Sequence, residues 1–227
     1  MQPNLAEIVS GLDQALQDGL TVATKHGIVT LRHFHAGDLI VTSGYIVACD
    51  PGWADVDTTK PFATPIAPGR YPVILSIQHT IKRYQSGYRD YQSVAFATLR
   101  LHERRPVRWE LATLPGEDLS SREEGWIPGY SVDSGTGCFM DADAARNFVQ
   151  RLSTDPAYQM VFDEEMQNNY VDTWSWVSLT LEPETPANLI AFSAGAGDGV
   201  YATYFGYDAD DAAVCLITDF ALLWHEP

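Results

Sequence analysis

The sequence predicts an α+β fold built on a mostly antiparallel, meander- or sandwich-like β-sheet, with an N-terminal helix and a central helical pair. Three observations lead there. First, residues 200–206 (VYATYFG) and 213–220 (AVCLITDF) are apolar, aromatic-rich runs around a segment whose Asp208, Asp210 and Asp211 favour a turn and disfavour a strand interior. Both faces of each run are largely apolar, so this hairpin is expected in the middle of the sheet and covered on both sides. Second, apolar residues at helical spacing mark residues 4–18 and 141–169. Third, alternating runs rich in β-branched residues, punctuated by Gly, Pro and Asp, fill much of the remainder.

Taken in order, Asn4 precedes Leu5, Ile8, Val9, Leu12 and Leu16, with Glu7 three residues after it and Gly19 at the end, the pattern of a capped amphipathic helix. Residues 27–34 and 38–49 alternate and meet at Ala36-Gly37, which predicts an early hairpin. Asp50-Pro51-Gly52 ends it sharply, and the proline-rich segment 51–68 is expected as an ordered loop over a sheet edge. Residues 70–78 form a strand with Pro72 near its start, 79–90 a polar loop, and 91–102 and 106–114 two further strands of a meander. After an irregular acidic stretch, Trp126 between Gly125 and Pro128 reads as a loop anchor. Residues 130–141 then give a short strand, a glycine turn and a second strand, with Asp141 as the N-cap of a helix over 142–152. A second helix over 157–168 follows, then strands over 174–182 and 188–193 before the C-terminal hairpin.

At 227 residues and 45% hydrophobic, the chain suffices for one domain with its own core. Its expected parts are the N-terminal helix (4–18), a β-rich body (21–140), the helical pair (141–169) and C-terminal strands (174–224). Thirty Asp and Glu against fourteen Lys and Arg give a formal charge of −16. Such a field repels a phosphate backbone, so no nucleic acid is expected, and it favours a basic protein partner. The arginines Arg100, Arg104, Arg105 and Arg108 lack interleaved aromatics and read as a solvated corner. No apolar run is long enough for a bilayer, and residues 1–20 lack a signal-peptide pattern, so no membrane association is expected and the expected compartment is the cytoplasm. Cys49, Cys138 and Cys215 sit among apolar neighbours and read as buried free thiols.

The segments VDSGTGCFMD (132–141), RYPV (70–73), VACDP (47–51), and GDGVYATYFGYD (197–208) with VCLITDF (214–220) resemble the bacterial family known as domain of unknown function 4241. The resemblance covers most of the chain. It implies a single bacterial cytosolic domain and carries no catalytic residues over to this sequence.

The chemistry therefore has to come from the residues. Asp133-Ser134-Gly135-Thr136 matches one aspartic-protease loop, but that mechanism requires two such aspartates and this chain has a single copy. The glycine-flanked carboxylates Asp133, Asp141 and Asp198, with Asp208 or Asp219, are candidate ligands for a divalent cation, calcium or magnesium; no cofactor is otherwise expected. Nothing fits Gly-x-Ser-x-Gly. His33 and His35 alternate on a predicted strand without an identifiable third ligand, and the glycine-rich segment 193–199 leads into a strand rather than the helix that phosphate loops need. Three readings follow. The first is a non-catalytic binding protein with an acidic surface, immunity-like in action; the second is a hydrolase using Asp133, Ser134, Asp141, Asp198, Asp208 and Asp219, with or without a divalent metal; the third is a domain without separate activity that acts through oligomerisation.

Overall fold

The computed structural model describes residues 11–24, 27–84, 87–119, 129–155, 157–181 and 186–223. Side chains alternate across a strand, so a strand apolar on both faces demands a layer on each side. That demand produces four layers here. A helix, α1, whose described part covers residues 11–15, lies on a large antiparallel sheet. The second face of that sheet meets a smaller one, which in turn is covered by helices α2 (Ala142–Thr154) and α3 (Ala157–Asn168).

The large sheet contains β1 (Thr21–Thr24), β2 (Gly27–Val41), β4 (Gly69–Tyr84), β5 (Gly87–Arg100), β6 (Arg108–Leu111), β7 (Tyr130–Val132), β11 (Gly199–Tyr207) and β12 (Ala213–Asp219). Its order is β1-β2-β4-β5-β12-β11-β6, with β7 also paired to β11. The smaller sheet, in order, is β3 (Ile46–Cys49), β8 (Thr136–Asp141), β10 (Asn188–Ser193) and β9 (Trp176–Thr180). Leu39, Leu75, Leu99 and Leu216 from the first meet Ile46, Phe139, Ile190 and Phe192 from the second in the central core. On the smaller sheet's other face, Val47, Met140, Leu189 and Ala191 pack on Ala145, Phe148, Tyr158 and Phe162. Beyond the large sheet, Leu12 and Ala15 of α1 cover Leu31, Phe96, Cys215 and Ile217.

The C-terminal hairpin is internal, as its two apolar faces require: β12 lies between β5 and β11, with Leu216 opposite Leu99. Because it inserts there, β5 and β6 are not neighbours, and the expected meander over 91–114 does not form. The early hairpin is also corrected. Gly27–Val41 is one continuous strand that bulges between His35 and Gly37 and only then turns into β3 of the other sheet. Gly37 holds φ +140, and a Cβ there would stand 3.0 Å from Ile190 Cδ1 and Ser178 Cβ, so this glycine marks a close approach of the two sheets rather than a turn. Nor is 79–90 a loop. β4 and β5 pair as far as Tyr84 opposite Gly87, and His79 bonds Asp90 across the ladder at 2.8 Å, which lets polar residues continue a strand.

Segment 51–68 begins with a 3-10 turn at Pro51–Trp53 and laces the two sheet edges together: Phe62 N donates to Ile46 O, Ala63 N to Thr113 O and Ile66 N to Gly44 O. Pro72 pairs only with β2, one residue beyond the last β4–β5 partner pair, where a missing amide costs no ladder bond to β5. The expected Asn4 cap, the Trp126 anchor and residue 224 of the last strand lie outside the described residues. Among the described residues no helix is long and apolar enough to cross a membrane.

Gly27 and Gly37 together test the steric reading, since both have positive φ but nothing lies within 4 Å of a Cβ at Gly27. Gly37→Ala is expected to lower the thermal midpoint clearly more than Gly27→Ala, measured by circular dichroism. Equal losses would show that backbone conformation alone matters at Gly37.

Candidate functional site

Two segments far apart in sequence, VACDP and VDSGTG, converge at one end of the sheets. The strand β3 ends at Cys49, and the next side chain, Asp50, is 4% exposed. A buried carboxyl group demands hydrogen-bond partners, and the chain supplies four donors. Asp50 Oδ1 accepts Gly52 N at 2.8 Å and Ser134 Oγ at 2.5 Å; Oδ2 accepts Asp133 N at 2.8 Å and Ser134 N at 2.7 Å. The two turns press so closely that a Cβ on Gly52 would stand 2.9 Å from Ser134 Cβ. The third glycine loop joins them, because Ala194 N donates to Gly135 O and Gly197 lies against Gly135.

This geometry decides what Asp133 and Ser134 do. Ser134 spends its hydroxyl proton on Asp50, and among the described residues no histidine bonds to it as the base that a serine nucleophile needs. The Asp133 carboxylate points outward and is exposed, as is Asp198. Gly199 pairs with Val132, which brings Asp198 and Asp133 to the same end of the large sheet. Asp50 went unrecognised as a site residue in the sequence because Asp-Pro-Gly is sufficient as a strand-ending turn.

The other carboxylates are placed apart. Asp141 follows Asp133 at the far end of β8, about 17 Å along the strand at roughly 3.3 Å per residue, so no single ion or water is shared by both. It caps α2 through Asp143 N and also accepts Thr42 N, Thr42 Oγ1, Ser43 N and Ser43 Oγ. Burial pushes its carboxyl up, but the hydrogen bonds from Ser43, Asp143 and Thr42 outweigh that and hold it below the ordinary range. Asp208 belongs to the hairpin tip, at the opposite end of β11 from Asp198. It is 5% exposed rather than solvated: Oδ1 accepts Asp210 N and Ala212 N, and Oδ2 meets Arg104 Nη1 at 2.5 Å. Arg104 and Arg108 also bind Asp210 and Asp211, whose side chains stay 82% and 83% exposed, so the solvated arginine corner forms surface ion pairs with the hairpin tip. Asp219 accepts Ala221 N at 2.7 Å. Among the described residues no group of three or more His, Cys, Asp or Glu is placed to hold a metal ion. His33 and His35 do not converge either, as His33 Nε2 donates to Ala15 O and His35 Nε2 bonds Asp38.

Cys49 and Cys138 are opposite each other in the β3–β8 ladder, and their sulfurs are 3.6 Å apart in the core as free thiols. The hydrogen bond with Cys138 and burial raise the Cys49 thiol well above its ordinary value, and burial pushes Cys215 up to about 12. Neither supplies a thiolate nucleophile at neutral pH.

A groove of about 290 Å³ runs between the 134–136 turn and α3, with Gln159, Asp163 and Tyr170 along it. A larger cavity, about 440 Å³, lies on the other side of the molecule beside α1.

Removing the Asp50 clamp should loosen the loop without unfolding the sheets. Asp50→Ala is expected to speed hydrogen exchange at the Asp133 and Ser134 amides by at least about tenfold, whereas Ser134→Ala, which deletes one donor of four, costs only about 1 kcal/mol of stability. Unchanged exchange at both amides in Asp50→Ala would remove the clamp from the account.

No curated protein and no solved structure matches the chain. A family model, that of a protein of unknown function designated DUF4241, matches residues 39–218, a span that contains the Asp50 clamp, both apolar sheet faces and nearly all of the C-terminal hairpin, and the chain belongs to that family.

Proposed function

We propose that this protein is a non-catalytic binding protein whose acidic face engages a basic protein partner, in the manner of an immunity-type inhibitor. One observation carries the reading: on α3 and the turn after it, exposed apolar side chains alternate with carboxylates that join no ion pair among the described residues. Met160, Val161, Tyr170 and Val171 are all exposed, between 39% and 71%. Asp163, Glu164, Glu165 and Asp172 are exposed among them.

Folding gives no reason for that placement. Glu165, in the last turn of α3, opposes the helix dipole, typically at about 0.3–1 kcal/mol, and that turn has no basic residue to offset it. Between residues 129 and 199 the sequence has eleven acids against two arginines, Arg146 and Arg151. Of those two, Arg146 is held by Asp143, and Arg151 lies 4.0 Å over the Tyr158 ring. An uncompensated anionic surface accelerates encounter with a cationic partner, and apolar side chains within it hold the complex once formed.

The two demands are separable by experiment. Glu164→Lys with Glu165→Lys is expected to leave α3 folded and raise the melting temperature slightly, while abolishing the salt-sensitive partner that the unaltered protein captures at low ionic strength from its host's lysate. Binding should weaken steeply between about 0.05 and 0.5 M salt. A partner retained by the double variant, or one indifferent to salt, would overturn the reading.

A further inference from the structure

A cavity of about 440 Å³ is on the outer face of the large sheet, between α1 and the turn over 101–107, in the layer farthest from α3. Its chemistry is opposite to that of the chain as a whole. Arg100, Arg104, Arg105, His33 and His102 line it, against Asp13 and Glu103. Both acids are already engaged, Asp13 Oδ1 by Trp109 Nε1 at 3.0 Å and Glu103 by Arg100 at 3.6 Å. Arg105 is exposed and joins no ion pair among the described residues. Arg104 uses only Nη1 toward Asp208 and Asp210, leaving the other guanidinium donors over. His102 Nδ1 accepts the Arg104 amide, so the neutral ring carries its proton on Nε2 as a donor.

A second feature points to a ligand independently of charge. Thr98, on β5 at the cavity floor, is 3% exposed, and its buried hydroxyl has no hydrogen-bond partner among the described residues. An orphaned buried hydroxyl costs about 1–3 kcal/mol unless something enters to meet it. Beside it the floor is apolar, formed by Ile74, Val214 and Cys215, with Leu16 and Pro106 on the walls.

The geometry points to a binding site for a small organic anion: a carboxylate or phosphate held by the Arg105 and Arg104 guanidinium groups, on an apolar body that lies over Ile74 and Val214 and places a polar atom against Thr98. The volume of about 440 Å³ is within the range of small-molecule sites. This site is independent of the acidic face of α3, and either could fail without the other.

Calorimetric titration of the whole protein with benzoate, phenyl phosphate, benzyl alcohol and inorganic phosphate tests it. The two organic anions are expected to bind at least about tenfold more tightly than benzyl alcohol, and whichever of them binds more tightly identifies the head group. Arg105→Glu, a change on the surface, should weaken binding at least about tenfold, and Thr98→Val, near-isosteric and checked for folding by circular dichroism, by about fivefold or more. Three results would overturn the proposal: no binding of either anion at about 10 mM, unchanged affinity in Arg105→Glu, or inorganic phosphate binding as tightly as phenyl phosphate.

Discussion

A carboxylate withdrawn from water must be met by donors, and in this acidic chain that requirement locks the turns in place. Asp50, Asp141 and Asp208 are nearly inaccessible; the first two take backbone amides from a distant turn, and Asp208 takes those of its own. Asp50 ties the end of β3 to the turn before β8, Asp141 ties the start of α2 to the turn after β2, and Asp208 closes the β11–β12 hairpin. The long-range ties join segments 84 and 98 residues apart in sequence. With the turns fixed, β3, β7 and β8 can cross between two sheets within a few residues of one another.

The same requirement divides the acids by role. Asp50, Asp141 and Asp208, which accept the chain's own donors, hold turns in place. Exposed acids without counter-charges, on α3 and at the Asp133 and Asp198 turns, are left over. Arg100, Arg104, Arg105 and Arg108 are segregated from them, around the cavity beside α1 and at the C-terminal hairpin tip. A chain with a formal charge of −16 thus presents two unlike surfaces on opposite outer layers.

Periodicity revealed the elements whose pattern is local. The helices over 142–152 and 157–168, the strand over 188–193 and the central hairpin are all legible from their own residues, and Asp141 as a cap follows from its position before an apolar helical run. What the residues conceal is partnership. Gly37 looks like a turn and is a bulge, because the reason for the glycine is Ile190, 153 residues away. His79 and Asp90 look like a loop and extend a ladder because they pair with each other. The separation of β5 from β6 depends on strands that come a hundred residues later. For the site, sequence picked out glycine-flanked aspartates, but Asp50 was hidden within a motif that already had a sufficient explanation as a turn, and the cavity's residues come from α1, β2, β4, β5 and β12 without a shared motif.

The central claim, that Asp141 and Asp208 are ionised locks, is tested most directly by a carbon-detected NMR titration of the side-chain carboxyls. Burial raises Asp141 and Asp208, while hydrogen bonds, and for Asp208 also Arg104, more than offset it; both are therefore expected to titrate below 3.8. A folded-state value below the unfolded one contributes stability that is complete above the unfolded value and is lost as the pH falls through the folded one. Asp141 and Asp208 titrating below 3.8, with stability declining over that acid window, is the expected result. Either carboxyl titrating at or above 3.8 in the folded protein would contradict it.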